Sequence, residues 1–472
     1  MVSAARFGGR MVDEAGHLNS AVASGEIVAR SAPKGELLRI LGVPFGIATA
    51  VGGMIGVGIL RAPALIAADV PDARFIVLLW VLGAIYVSVQ ANVMAELATA
   101  IPRAGGPYIF VRHALGDVGG LAVGWTDWMA FVCGVAALAV AFAEFLGIVW
   151  PAAAHMKPVT AVAVQMLIFG MNAIGLRQGT LVQHLTSLLK GLALVAFCIA
   201  AAIVATRMQR SIPAPSAAAV GWFGLIAAFQ LIAGAYSGWN QPTYFSEENR
   251  DPGRSIPRAL GIGIVLTAVL YISVNVALLA ALGVKGVANS ALPFTSVLTQ
   301  VGGVGAGIVF AVCALLAVAS CANAGIMAAP RILLALSRDG LLPRMFQRVN
   351  PGGSPHFAVA LTAIVSIALT MTGSFKLVFG LIGTLNAATY ILVMVAYFVL
   401  RRRDAALHRP YRALAHPWLP ALALASSLVF FVLFLNANWL GGLYAAIMWL
   451  LCIPFALIAR RVARKPTSSE DP

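Results

Sequence analysis

Charge is what this chain has least of. Asp, Glu, Lys and Arg make up 10% of its 472 residues, against 60% hydrophobic ones, whereas a soluble globule needs about a quarter of its residues charged. An ordinary soluble fold is thereby excluded. Acid is scarcer than base, with 17 Asp and Glu facing 32 Lys and Arg for a formal charge of +15. There are five cysteines, Cys133, Cys198, Cys313, Cys321 and Cys452, all within apolar runs and without metal-type spacing. They read as small packing residues, which argues against both a disulfide and a metal site. The seven histidines are scattered, which speaks against a metal centre. No phosphate-cradling loop with a lysine, no His-Glu-x-x-His and no nucleophile elbow occurs, so nothing indicates an enzyme or a cofactor. The first 38 residues are polar, carry Asp13, Glu14 and Glu26, and lack a charged-apolar-cleavage pattern; no cleaved signal peptide is expected.

What is present is a series of apolar runs long enough to cross about 30 Å of hydrocarbon. Twelve spans are expected, at 41–67, 75–100, 119–146, 159–176, 181–205, 221–246, 257–282, 302–335, 357–372, 375–400, 418–436 and 439–459. The fold class is therefore an all-α polytopic membrane protein with twelve transmembrane helices. With the N-terminus placed inside, 24 of the 32 Lys and Arg fall on the cytoplasmic side, including Arg401, Arg402 and Arg403; seven fall outside, and Lys190 lies within a span. Both termini are then cytoplasmic in a multi-pass protein of the cell (inner) membrane. The basic charge is topology, and no nucleic-acid partner is implied.

The first and sixth runs are interrupted mid-span by small residues, at Gly52-Gly53-Met54-Ile55-Gly56-Val57-Gly58 and at Gly234-Ala235-Tyr236-Ser237-Gly238. Unwound backbone at that depth survives only where a ligand or cavity satisfies its polar groups. Their matching ordinal positions suggest two five-span repeats, and an odd number of crossings per repeat inverts the second relative to the first. The expected organisation is a tail over 1–38, a first repeat over 39–205, an inverted second repeat over 206–403, helices 11 and 12 within 404–460, and a tail over 461–472. Helices 11 and 12 are expected to support the bundle or to form a homodimer. Gly119-Gly120, Gly302-Gly303 and Gly441-Gly442 read as ordinary close-packing glycines. A broken helix offers free N–H groups to an anion and free carbonyls to a cation. A solute with a carboxylate and an ammonium on one carbon, an α-amino acid, fits that pair.

Further stretches carry a resemblance. They are Ile55-Gly56-Val57-Gly58-Ile59-Leu60 with Pro63, Pro102-Arg103-Ala104-Gly105-Gly106-Pro107-Tyr108, and Asn172-Ala173-Ile174-Gly175-Leu176-Arg177 with Val182-Gln183 leading to Lys190. They continue with Ala235-Tyr236-Ser237-Gly238-Trp239-Asn240, Glu247-Glu248, Asp251-Pro252, Ile256-Pro257-Arg258-Ala259, and Ser337-Arg338-Asp339-Gly340 to Pro343. In this order, from about residue 40 to 400, the chain resembles amino acid permeases of the amino acid-polyamine-organocation superfamily. Within it the chain looks most like the L-type, heavy-subunit-linked exchangers and their bacterial kin.

The resemblance implies a five-plus-five inverted repeat with spans 1 and 6 broken at the substrate. It places the substrate carboxylate against amides near Gly56, Val57 and Gly58, and the ammonium against carbonyls near Met54, Gly234 and Ser237. Ile55 and Ala235 lie in the same stretches, and Tyr236, Trp239 and Asn240 are further pocket candidates. Val57 stands where the family usually has Ser, and Gly234 where it often has an aromatic gate. The second departure leaves room for a neutral, bulky amino acid. Lysine in mid-membrane is expensive and marks function by default. In the resembling transporters a lysine at the place of Lys190 takes sodium's position, which implies sodium-independent transport. Its ammonium is expected to bridge span 5 to the first break and to Ser320, and its titration during transport is a further expectation. Relatives in animals join a heavy subunit through an extracellular cysteine; here no cysteine lies outside a span, so no disulfide-linked partner is expected.

Charges near the membrane are usually paired. Arg61 is expected to pair with Glu144, or with Asp69 or Asp72, as an outer gate. Glu96, Glu247 and Glu248 are expected to join Arg103, Arg112 and Arg258 in an inner ionic network, together with Asp127. The implied function is secondary active transport of amino acids by alternating access, coupled by exchange or to protons. A cationic amino acid or polyamine carrier is disfavoured because few acids lie at mid-span. A non-transporting amino acid sensor is disfavoured because tails of about 38 and 12 residues are short for an output domain.

Overall fold

The computed structural model describes residues 37–207, 221–290, 292–371 and 375–437, with isolated positions 443, 446, 447, 450 and 454. Residues 1–36, the segment 208–220, nearly all of span 12 with Gly441, Gly442 and Cys452, and the tail 461–472 lie outside the described residues.

The chain forms helices α1 (Val43–Met54), α2 (Val57–Asp69), α3 (Ala73–Ala100), α4 (Pro107–Val149), α5 (Lys157–Ile174), α6 (Leu176–Arg207) and α7 (Trp222–Ala235). They are followed by α8 (Pro252–Ala288), α9 (Pro293–Arg338), α10 (His356–Met371), α11 (Phe375–Arg403) and α12 (Trp418–Ala437). A 3-10 stretch, Gln241–Glu248, separates α7 from α8. Among the described residues seven helices are long and apolar enough to span a bilayer, or eight if α1 and α2, bent by 41° at their junction, form one span.

Several helices run past the expected span limits because a glycine lets the chain turn without ending the helical run. In α4 the turn is at Gly116 (φ 78), and 107–115 precedes the span proper. The pair Gly302-Gly303 is such a turn in α9, with Gly303 at φ 65 and nothing near its missing side chain. That corrects the reading of this pair as close-packing glycines. Helix starts follow local chemistry: the Asp72 carboxylate accepts from the Arg74 N–H at 2.8 Å to cap α3, and Asp251 caps α8 ahead of Pro252.

Helix α6 shows how the bundle orients its faces. Gln183, Ser187, Lys190, Leu194 and Phe197, three or four residues apart, are buried, while Leu181, Leu185, Leu188, Leu192 and Ile199 on the other side are at least half exposed. Polar groups therefore point inward and leucines outward, the reverse of a soluble helix and the arrangement lipid requires. Helix α4 lies at the centre, packed along both α9 and α11, while α3 packs on α8. A single bridge pins the start of span 1 to the end of the 3-10 stretch, with Leu41 N–H donating to Glu248 O and Arg250 N–H to Leu41 O, both at 3.0 Å.

Candidate functional site

The first break is built from carbonyls that helices elsewhere complete. Ile55 and Gly56 leave helical geometry between α1 and α2, which frees the last acceptors of α1. Lys190 Nζ donates to Gly52 O at 2.7 Å and to Ile55 O at 2.9 Å. The Cys321 thiol donates to Gly53 O at 3.0 Å. The Tyr271 hydroxyl lies 2.7 Å from Met54 O and 3.1 Å from Ala235 O, touching both breaks. On the far side of the gap no side chain caps α2, whose first residues are Val57 and Gly58.

The second break is made differently. Helix α7 ends at Ala235, residues 236–240 form turns, and Gly238 takes φ 96. Its carbonyls are met locally: Ser237 N–H donates to Gly234 O at 3.1 Å, Gln241 N–H to Gly238 O at 3.3 Å and Thr243 N–H to Asn240 O at 3.0 Å. The two breaks meet backbone to backbone. A methyl on Gly238 would sit 2.8 Å from the Gly53 carbonyl, and one on Gly58 would sit 2.7 Å from the Ala235 Cα. Glycine at these positions is required by the approach itself.

Between the breaks lies a cavity of about 460 Å³, the size of a small-ligand site. Of the eleven binding residues expected from sequence, Met54, Gly56, Val57, Gly58, Gly234, Ala235, Ser237, Trp239 and Asn240 line it; Ile55 and Tyr236 do not. Tyr236 is fully buried against Trp80 and Tyr271, with ring centroids 5.9 and 5.0 Å away, and is a packing residue. A side chain at Gly234 would meet nothing within 4 Å, so the wall there is open. Ser237 Oγ accepts from Asn386 Nδ2 at 3.2 Å, and the Trp239 ring lies 5.8 Å from that of Tyr390.

Lys190 stands behind the first break and off the cavity wall. No hydrogen bond joins it to Ser320, whose Oγ accepts from Thr186 Oγ1 at 2.8 Å. Around Lys190 runs a buried amide and hydroxyl chain that sequence reasoning missed. Asn172 Nδ2 donates to Asn323 Oδ1 at 2.8 Å, Asn323 Nδ2 to Gln183 Oε1 at 2.9 Å, and Gln183 Nε2 to Ala48 O at 3.1 Å. Polar residues recurring at helical spacing along α6 were the signal that could have found it.

The Arg61–Glu144 pair is the expected one, while the other carboxylates take different partners from those the sequence suggests. Arg61 hydrogen-bonds Glu144, each about a third exposed. At the opposite end Glu96 accepts from Arg401 at 2.5 Å and from Arg409 at 3.0 Å, Glu247 from Arg338 at 2.7 Å, and Glu248 from Arg331 at 3.1 Å. Arg103 and Arg112 instead pair with Asp339, each at 3.1 Å, and Arg258 has no carboxylate partner among the described residues. Partner choice depends on how each helix is rotated in the bundle, which topology alone leaves open. Outside the spans, Arg403 beside Asp404 holds that carboxyl below the usual carboxylate range. Asp127 is not in this network. It lines the cavity and accepts a hydrogen bond from the Tyr244 hydroxyl at 2.7 Å.

An apolar helix bundle with a solute-sized cavity between two mid-span breaks belongs to the class of multi-pass membrane carriers. A family model described as amino acid permease matches residues 45–458, and the chain belongs to that family. It is 32% identical over 351 residues to an uncharacterized transporter of Mycobacterium tuberculosis, covering 72% of this chain and 76% of the relative. It is 24% identical over 408 residues to the serine/threonine exchanger SteT of Bacillus subtilis, covering 84% and 91%. It is 24% identical over 451 residues to the branched-chain amino acid permease BcaP of the same organism, covering 90% and 94%.

Proposed function

We propose that the chain is a sodium-independent secondary active transporter of amino acids, working by alternating access around the two breaks. The observation that carries this reading is the 460 Å³ cavity between the uncapped start of α2 and the turns at 236–240. A substrate carboxylate meets the amides near Gly56, Val57 and Gly58, where dipole and free N–H groups both favour an anion. The α-ammonium meets acceptors on the opposite lip, where Ser237 and the carbonyls of Met54 and Gly234 face it. Each of those carbonyls already takes one protein donor, and an oxygen with two lone pairs accepts a second. Relatives named for serine and threonine in one case and branched-chain amino acids in another support recognition of the head group over any one side chain. Sodium independence rests on Lys190, whose ammonium supplies a fixed cation to the carbonyls Gly52 O and Ile55 O.

The carrier is coupled by exchange or to protons, with both termini cytoplasmic, two inverted repeats over 39–205 and 206–403, and the last two spans, within 404–460, as the surface for a homodimer. Room above Gly234 supports a bulky side chain. The reason to disfavour a cationic amino acid carrier is a shortage of acid at mid-span, and Asp127 on the cavity wall removes that reason. The test is uptake of labelled amino acids into proteoliposomes with sodium, a pH gradient or an internal amino acid each supplied in turn. Accumulation without sodium, driven by internal amino acid or by protons, is expected; uptake that requires sodium, or none with any amino acid, defeats the proposal.

A further inference from the structure

Resting on that reading, we propose that Asp127 makes this a carrier of cationic amino acids: its carboxylate is the counter-ion for a substrate side chain ending in an ammonium or guanidinium group. Asp127 is 2% exposed and sits on α4, on the cavity wall, linked through Tyr244 to Asn240 where the second break ends. Among the described residues it is the one Asp, Glu, Lys or Arg on the cavity wall, it forms no ion pair, and Tyr244 is its one hydrogen-bond partner. A buried carboxylate without a cation is costly and is retained where it pairs with something.

Two features favour an organic cation. The first is the direction of the hydrogen bonds. Asn240 Nδ2 donates to the Tyr244 hydroxyl at 3.2 Å, and that hydroxyl donates to Asp127 Oδ2 at 2.7 Å. Both donors point toward the carboxylate, organising it as an acceptor whose second oxygen is left for a ligand. The second is the surrounding surface. The rings of Phe131, Tyr244, Trp239 and Tyr390 line the same cavity, with Phe131 edge-on to Tyr244 at 5.1 Å. Aromatic faces around one carboxylate suit ammonium and guanidinium groups. Charge also balances, since a zwitterionic head group with a cationic side chain brings one net positive charge to one negative wall.

Arginine and citrulline separate this idea from the broader one, because they share a shape and differ in the charge of the side chain. Binding of each to the purified full-length carrier in nanodiscs is read by thermal shift and by competition against labelled arginine. Arginine is expected to bind roughly ten-fold or more tightly than citrulline. In Asp127→Asn that ratio falls to about one, and in Tyr244→Phe, which keeps the carboxylate, it falls by a few-fold. Equal binding of the two by the wild type overturns the proposal, as does a ratio that survives Asp127→Asn. A ratio kept while pH-gradient-driven uptake disappears overturns it too, by making Asp127 a proton site. Should Asp127→Asn fail to fold, the wild-type ratio and Tyr244→Phe still decide. If neutral amino acids bind and are transported but cations gain nothing, this inference alone fails; if no amino acid binds, the transport reading fails first.

Discussion

The two breaks solve one problem in opposite ways. The first gives up its carbonyls to Lys190, Cys321 and Tyr271, carried by three other helices. The second folds back on itself and meets the carbonyls of Gly234, Gly238 and Asn240 with its own amides, leaving Ala235 O to Tyr271. The first break is thus a property of the assembled bundle, and the second of local sequence. Substitutions remote in sequence should therefore disturb the first, while the second should respond mainly to substitutions within it, with Tyr271 on Ala235 O as the remote exception.

The largest effect is expected from Gly238→Ala. A side chain there must adopt φ 96 and also meet Gly53 backbone at 2.8 Å, so strain and clash add to several kcal/mol; little folded protein should survive size-exclusion chromatography. Gly234→Ala, four residues away with nothing within 4 Å, is the control that should remain folded. Next comes Lys190→Met, which keeps the bulk but strands Gly52 O and Ile55 O. Each carbonyl left buried without a donor costs about 1–3 kcal/mol, and labelled uptake should fall at least ten-fold; normal uptake by this variant would remove Lys190 from the mechanism. Tyr271→Phe takes one hydroxyl from two carbonyls on different breaks, and a loss of about 1–3 kcal/mol in thermal or denaturant unfolding is expected. Cys321→Ala, which removes only a weak thiol donor, should lower stability by less than about 1 kcal/mol. If Cys321→Ala proves more damaging than Tyr271→Phe, the contrast between the two breaks is wrongly drawn.

Much of this architecture can be read from the chain. Apolar runs mark the spans, and small residues at Gly52–Gly58 and Gly234–Gly238 mark where two of them come apart, because those effects are local. Nine of the eleven expected pocket residues reach the cavity for the same reason. What stayed hidden depends on rotation and on long-range pairing. Glu96 finds Arg401 and Arg409 more than 300 residues away, and nothing near Glu96 in sequence indicates them. Tyr236 and Trp239, three residues apart, differ completely in role, since one is wedged between Trp80 and Tyr271 and the other faces the cavity. Asp127 was grouped with other acids by its position along the chain, when the turn of α4 that carries it faces inward.

The sealed pair Arg331–Glu248, 3% and 0% exposed, ties α9 to the 3-10 stretch out of reach of solvent. A salt bridge shut away from water does not part cheaply, because each ion would be stranded before it was rehydrated. A second pair, Arg338–Glu247, joins the same two segments, so α9 and the 3-10 stretch are fastened to each other at two points. If this end of the molecule opens, the separation is expected to begin where Asp339 meets Arg103, which is 47% exposed, because solvent can reach that arginine as the charges part.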